Sequence, residues 1–97
     1  MGVEEIIQKN EGTVVDVRTA REFLGGHASG SVNIPLNEVS HRLEEIKKLK
    51  TPIVLCCASG GRSAQAHSYL VRNNIDSLDG GSWIDVHYWQ EQKPAQP

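Results

Sequence analysis

The 97-residue chain has few of the features that mark membrane, fibrous or multi-domain proteins. Its longest apolar stretch is Ile53 to Ala58, far below the ~20 residues a membrane-spanning helix needs. Aromatic residues make up only 5%, and ten Lys and Arg against twelve Asp and Glu leave a net charge of −2 with no like-charge run longer than a pair. Neither bulk charge nor a basic aromatic platform is there to attract nucleic acid or anionic lipid. Met1 to Glu5 is acidic where an export signal would be basic, so no signal peptide is expected. The length allows one hydrophobic core region and no second domain.

Cysteine is equally scarce. The two present, Cys56 and Cys57, are adjacent, and neighbours on an extended strand point to opposite faces, so a bond between them would be strained. A disulfide framework is excluded, leaving a reducing compartment or thiols used as chemistry.

What is present alternates β-branched runs with helical spacing. Val3 to Lys9 forms a short opening helix, with Val3, Ile6 and Ile7 on one side and a stop at Asn10-Glu11-Gly12. Thr13 to Val17 is apolar on both faces, as a buried parallel strand is. Thr19 and Glu22 have capping-box spacing before Gly25-Gly26. Ser31 to Ile34 is a shorter strand stopped by Pro35. The spacing of Leu36, Val39, Leu43, Ile46 and Leu49 predicts one helix over 36–49. Ile53 to Cys56 is the strongest strand, and a helix runs from about Arg62 or Ser63 to about Asn73. A brief strand over 75–78 leads to a turn at Asp79-Gly80-Gly81, and a last helix carries Trp83, Val86 and Trp89. Residues 93–97 are expected to be a disordered tail after a domain over 1–92. This order predicts an α/β domain, a mainly parallel sheet with helices on both faces, and a ligand site at the carboxyl ends of the strands.

The segment Pro52 to Ala66 carries the chemistry. A buried strand ending at Cys57, a glycine loop and a helix start aim amides and the positive helix terminus at the sulfur. That setting favours an anion, with Arg62 expected to add positive charge, so Cys57 is the candidate nucleophilic thiolate. Gly60 and Gly61 let the loop turn its amides inward, and Ser59 and Ser63 are candidate hydroxyl donors.

This segment, Cys57-Ala58-Ser59-Gly60-Gly61-Arg62-Ser63, resembles the active-site loop of single-domain rhodaneses. Three other stretches match the same family in order: Asp16-Val17-Arg18 with Glu22-Phe23, Gly26-His27 through Asn33-Ile34-Pro35, and Leu78-Asp79-Gly80-Gly81 with Trp83. The resemblance implies a rhodanese-like domain whose Cys57 takes a sulfane sulfur from thiosulfate or a similar donor. The resulting persulfide would pass its sulfur to cyanide or a thiol. The amides of 58–62 would hold the terminal sulfur, and no metal or organic cofactor is implied. Rhodanese-fold phosphatases and arsenate reductases place five residues between Cys and Arg, whereas four stand here, a tighter ring suited to one extra sulfur. A non-catalytic sulfur carrier or regulatory binding module is a third reading.

Supporting roles fall to Asp16, Arg18, Glu22 and His27. Arg18 and Glu22, four apart, are expected to form an ion pair. Asp16 lies at a strand end, where it could anchor loop amides, and His27 is expected to act through hydrogen bonding rather than acid–base catalysis. Cys56 is either core filler or a resolving thiol, and two adjacent cysteines lack metal-ligand spacing. His41, His67 and His87 are expected to be surface or packing residues. The family's usual first strand has no counterpart before the opening helix, so the sheet has four or five strands, and an edge left open would favour pairing. A monomer is nevertheless expected, with a small sulfur donor and a thiol or protein acceptor as partners and no nucleic acid or membrane. The expected compartment is the cytoplasm, or the periplasm if an export signal once preceded Met1-Gly2.

Overall fold

The computed structural model describes residues 2–92; the expected tail over 93–97 lies outside the described residues. Five α-helices, one 3-10 turn and four strands follow in the order α1 (Val3–Gln8), β1 (Thr13–Asp16), α2 (Ala20–Leu24), β2 (Val32–Asn33), the 3-10 turn (Leu36–Glu38), α3 (Leu43–Lys47), β3 (Ile53–Cys57), α4 (Gly61–Arg72), β4 (Ser77–Ser82) and α5 (Trp83–Glu91). All strand pairs are parallel, in the order β2-β1-β3-β4, so four strands are present among the described residues. No described helix is long and apolar enough to cross a membrane.

Strand β3 organises the molecule because every one of its residues is buried. Alternation sends Ile53, Leu55 and Cys57 to one face and Val54 and Cys56 to the other. On the first face they meet Val15, Val17, Ile34, Val39, Ile46, Ala66 and Leu70, drawing in α3 and α4. On the second they meet Ile6, Ile7, Ala28 and Val86, with Trp83 and Trp89 packed alongside. The two tryptophans thus anchor the second core. Each fully buried aliphatic side chain contributes roughly 1.5–3 kcal/mol against exposure, so two thin cores suffice for a chain this small.

Two elements differ from the expectation. Residues 36–49 do not form one helix: the 3-10 turn and α3 flank a bend at Val39 to Arg42. Leu36, Val39, Leu43, Ile46 and Leu49 still pack on the first core, so the apolar period is obeyed without a continuous helix. Asn37, Ser40 and His41 supply little helical propensity to bridge the gap. At the other edge, Asp79-Gly80-Gly81 is not a turn after a strand but the middle of β4. Leu55 aligns with Asp79 and Cys56 with Gly81, leaving Gly80 as the extra residue of a bulge. A Cβ on Gly80 would stand 3.0 Å from Leu55 O and Val54 Cγ1, and Gly81 has φ +77°, so both glycines serve the bulge.

Candidate active site

The carboxyl ends of β1 and β3 open on the same side, and Cys57 is the last residue of β3. Gly60 follows as the N-cap of α4 with φ +100°, a conformation that glycine adopts without the penalty of a side chain. That turn points the Gly60 N–H at Cys57 Sγ, 3.0 Å away, and the first turn of α4 adds the Ser63 N–H at 3.4 Å. Ser63 Oγ lies 3.6 Å from the same sulfur. Burial pushes the Cys57 thiol up, but hydrogen bonding at Ser63 and to the amides of Gly60 and Ser59 outweighs it, and the net shift is downward. Ala58, Ser59 and Gly61 are exposed at the mouth while Cys57 itself is 1% exposed. The loop is therefore an open collar of amides above a covered sulfur.

Arg62 donates no hydrogen bond to the sulfur, although its charge lies near enough to be felt by Cys57. Its Nη1 and Nη2 donate to Glu22 Oε1 and Oε2 at 2.6 and 3.0 Å, strapping the start of α4 to α2. The expected Arg18–Glu22 side-chain pair is correspondingly absent, because the Glu22 carboxylate is already committed. Its Oε1 also accepts from the Thr19 N–H at 3.1 Å while the Thr19 hydroxyl accepts from the Glu22 N–H, the capping box expected from the spacing. The Arg62 guanidinium, with Thr19, holds the Glu22 carboxyl down to about 2.

Arg18 instead pairs with Asp16. Its Nε lies 3.0 Å from both carboxylate oxygens and its Nη2 2.7 Å from Oδ2. Nη2 also donates to Gly26 O at 2.7 Å, and the guanidinium stacks over Trp83 at 4.7 Å. Asp16 is fully buried and accepts one backbone amide, that of Arg18 at 3.0 Å, so its chief partner is a guanidinium rather than loop amides. Asn33 Nδ2 donates to the carbonyls of Asp16 and Arg18, closing this bracket beneath the loops. His27 stacks on Phe23 and its Nδ1 lies 2.8 Å from Phe23 O, a conformational role.

Cys56 lies on the far face of β3, fully buried in the second core. Burial and then the nearby Asp16 carboxylate push its thiol far above the ordinary range. His67 Nδ1 contacts Ser77 Oγ at 2.9 Å, a packing role, while His41 and His87 are exposed. No group of three metal-ligating side chains occurs among the described residues.

Asp79 is the residue that sequence reasoning missed. Its Oδ1 accepts from Ser63 Oγ at 2.8 Å and from the Gly81 N–H at 2.9 Å, joining β4 to the collar around Cys57. A turn at Asp79-Gly80-Gly81 gives no reason to link this exposed residue to the collar. A bulge was the other meaning of paired glycines beside a strand.

The chain is similar to known proteins. Residues 2–83 match the family model described as Rhodanese-like domain. The uncharacterized protein YqhL of Bacillus subtilis is 41% identical over 71 residues, covering 70% of this chain; the chain spans only 56% of YqhL. Thiosulfate sulfurtransferase GlpE of Pseudoalteromonas translucida is 31% identical over 80 residues, 79% of this chain and 75% of GlpE. Among solved structures, a rhodanese-related protein from Thermoplasma volcanium superposes with a TM-score of 0.69 at 30% identity, over 84% of this chain and 80% of its own.

Proposed function

The chain belongs to the rhodanese-like domain family, and from that membership we propose that it is a sulfurtransferase working through a persulfide on Cys57. The observation that carries the reading is the collar: a sulfur at a strand end with two backbone N–H groups within 3.4 Å and the N-terminus of a 12-residue helix behind them. Such a collar stabilises negative charge on sulfur before and after transfer.

In the proposed reaction the Cys57 thiolate attacks the outer sulfur of thiosulfate or a similar sulfane donor. A new S–S bond forms, the donor's S–S bond breaks, and sulfite leaves with the bonding pair. The terminal sulfur of the persulfide carries the charge under the amides of 58–62. A thiol, free or on a protein, or cyanide then attacks that sulfur, and the electron pair of the broken bond returns to Cys57 as thiolate. The first transfer needs no general base, because charge passes from one sulfur to another. The Arg62 guanidinium, committed to Glu22, is not free to clamp a phosphate or arsenate above the sulfur, which favours this reaction over oxyanion chemistry.

Intact-mass analysis after thiosulfate treatment tests it. A gain of ~32 Da, one sulfur, is expected in the native chain and in Cys56→Ala, and none in Cys57→Ser. Sulfur retained by Cys57→Ser, or turnover of an aryl phosphate with no sulfur uptake, overturns the proposal.

A further inference from the structure

Three hydrogen-bond acceptors and a single proton meet at Ser63. Its Oγ lies 2.8 Å from Asp79 Oδ1, 3.0 Å from Gly60 O and 3.6 Å from Cys57 Sγ. A hydroxyl has one proton to give and lone pairs to receive with. While Cys57 is a thiol the arrangement has no conflict: the S–H donates to Ser63 Oγ and Ser63 donates to Asp79. Once the sulfur is an anion it also needs a donor, and it competes for that one proton with a carboxylate 2.8 Å away, the shorter and charge-assisted contact.

The placement of Asp79 follows from the register of β4. Asp79 aligns with Leu55, whose side chain shares the face of Cys57, and the bulge at Gly80 begins immediately after it. The other charged groups around the collar cancel locally. Asp16 and Arg18 from β1 neutralise each other, as do Glu22 from α2 and Arg62 from α4. Cys56 on β3 is held protonated by burial, and His67 of α4 faces Ser77, which pairs with Ile53 at the opposite end of β3. Asp79 is left as the acidic group at the collar with no cation in ion-pair range among the described residues.

We propose that Asp79 is a positioning residue that holds the Ser63 hydroxyl proton away from Cys57, leaving the thiolate short of one donor and therefore more basic and more nucleophilic. The amides stabilise the thiolate, and a stabilised thiolate is a weaker nucleophile, since reactivity falls as basicity falls. Asp79 offsets part of that stabilisation through one hydroxyl. The inference rests on Cys57 being the nucleophile proposed above.

The test is the pH dependence of iodoacetamide alkylation in a Cys56→Ala background, which leaves one thiol, for the native collar, Asp79→Asn, Ser63→Ala and the double variant. Asn keeps an oxygen for the Gly81 amide, preserving the bulge, and loses the charge. In Asp79→Asn the midpoint is expected to move about one unit toward acid, about tenfold more thiolate per thiol below the midpoint. The rate constant of the fully ionised thiol is expected to fall about threefold. With Ser63 removed as well, the Asp79→Asn shift should shrink to less than half. Ser63→Ala alone reads the rotor independently of how Asp79→Asn folds: a proton already on Asp79 leaves the midpoint within about half a unit, whereas a rise of about one unit means the hydroxyl was donating to sulfur. That rise, an unmoved or alkaline midpoint in Asp79→Asn, or an equal shift with and without Ser63 overturns the assignment. Alkylation needs no sulfur donor. Failed thiosulfate loading with these shifts intact removes the sulfurtransferase reading and keeps the Asp79 role, while normal loading without the shifts removes the Asp79 role alone.

Discussion

Cys56 and Cys57 are consecutive, equally hidden at 0% and 1% exposure, and opposite in chemistry. Cys56 faces Ile6, Ile7 and Val86, with no hydrogen-bond donor to its sulfur among the described residues, and is driven far from ionisation. Cys57 faces the start of α4, where the Gly60 and Ser63 amides point at it, and is drawn toward ionisation. Burial raises both thiols, so low exposure alone is not what separates an inert thiol from a reactive one. The count of donors aimed at the sulfur is, and strand alternation allots those donors to one cysteine alone.

The most severe way to break this contrast is Cys57→Ala, for which sulfur uptake measured by mass should vanish. Next is Gly60→Ala. A side chain at φ +100° strains the cap by about 1–3 kcal/mol and pulls the Gly60 amide off the sulfur. The alkylation midpoint should then rise toward the ~8.5 of an ordinary thiol, with about tenfold slower labelling near neutrality. If Gly60→Ala labels as fast as the native chain, the collar does not set the reactivity. Cys56→Ser sharpens the comparison from the other side. A hydroxyl placed among apolar groups should cost about 1–3 kcal/mol, visible as a thermal midpoint lower by about 4–8 °C per kcal/mol, with thiosulfate uptake retained.

The smallest effect is expected at Arg62→Met, because that guanidinium touches Glu22 and not the sulfur. Alkylation should change less than twofold. The folded Glu22 carboxyl sits near 2, below its unfolded value of ~4.3, so the pair stabilises the fold above the unfolded value and loses that contribution as pH falls toward 2. Denaturant midpoints of the native chain and Arg62→Met should therefore differ at pH 6 and converge as pH approaches 2. A difference that persists unchanged at the acid end would assign the effect to Arg62 packing instead.

How far the sequence reached follows the range of each interaction. The Thr19–Glu22 box and the split of Cys56 from Cys57 were legible because capping has a fixed three-residue offset and strands a fixed two-residue period. The Glu22 partner was not: spacing offered Arg18 four residues away, and the fold supplied Arg62 forty residues away. Asp79 was hidden by the double meaning of paired glycines, and the bend at 39–42 by an apolar period that a broken helix satisfies as well as a whole one. The mainly parallel sheet came through because strands joined by helices leave few arrangements.

The two edges of the sheet bear on a hazard unrelated to catalysis. A sheet with an exposed border is a template onto which another chain can stack, the first step of ordered aggregation. Here one border is β2, only Val32 and Asn33 long, and Asn33 spends its amide on Asp16 and Arg18. The other is β4, kinked at Gly80 and carrying Asp79. Neither border of the described sheet offers a straight row of amides in register for another chain to extend.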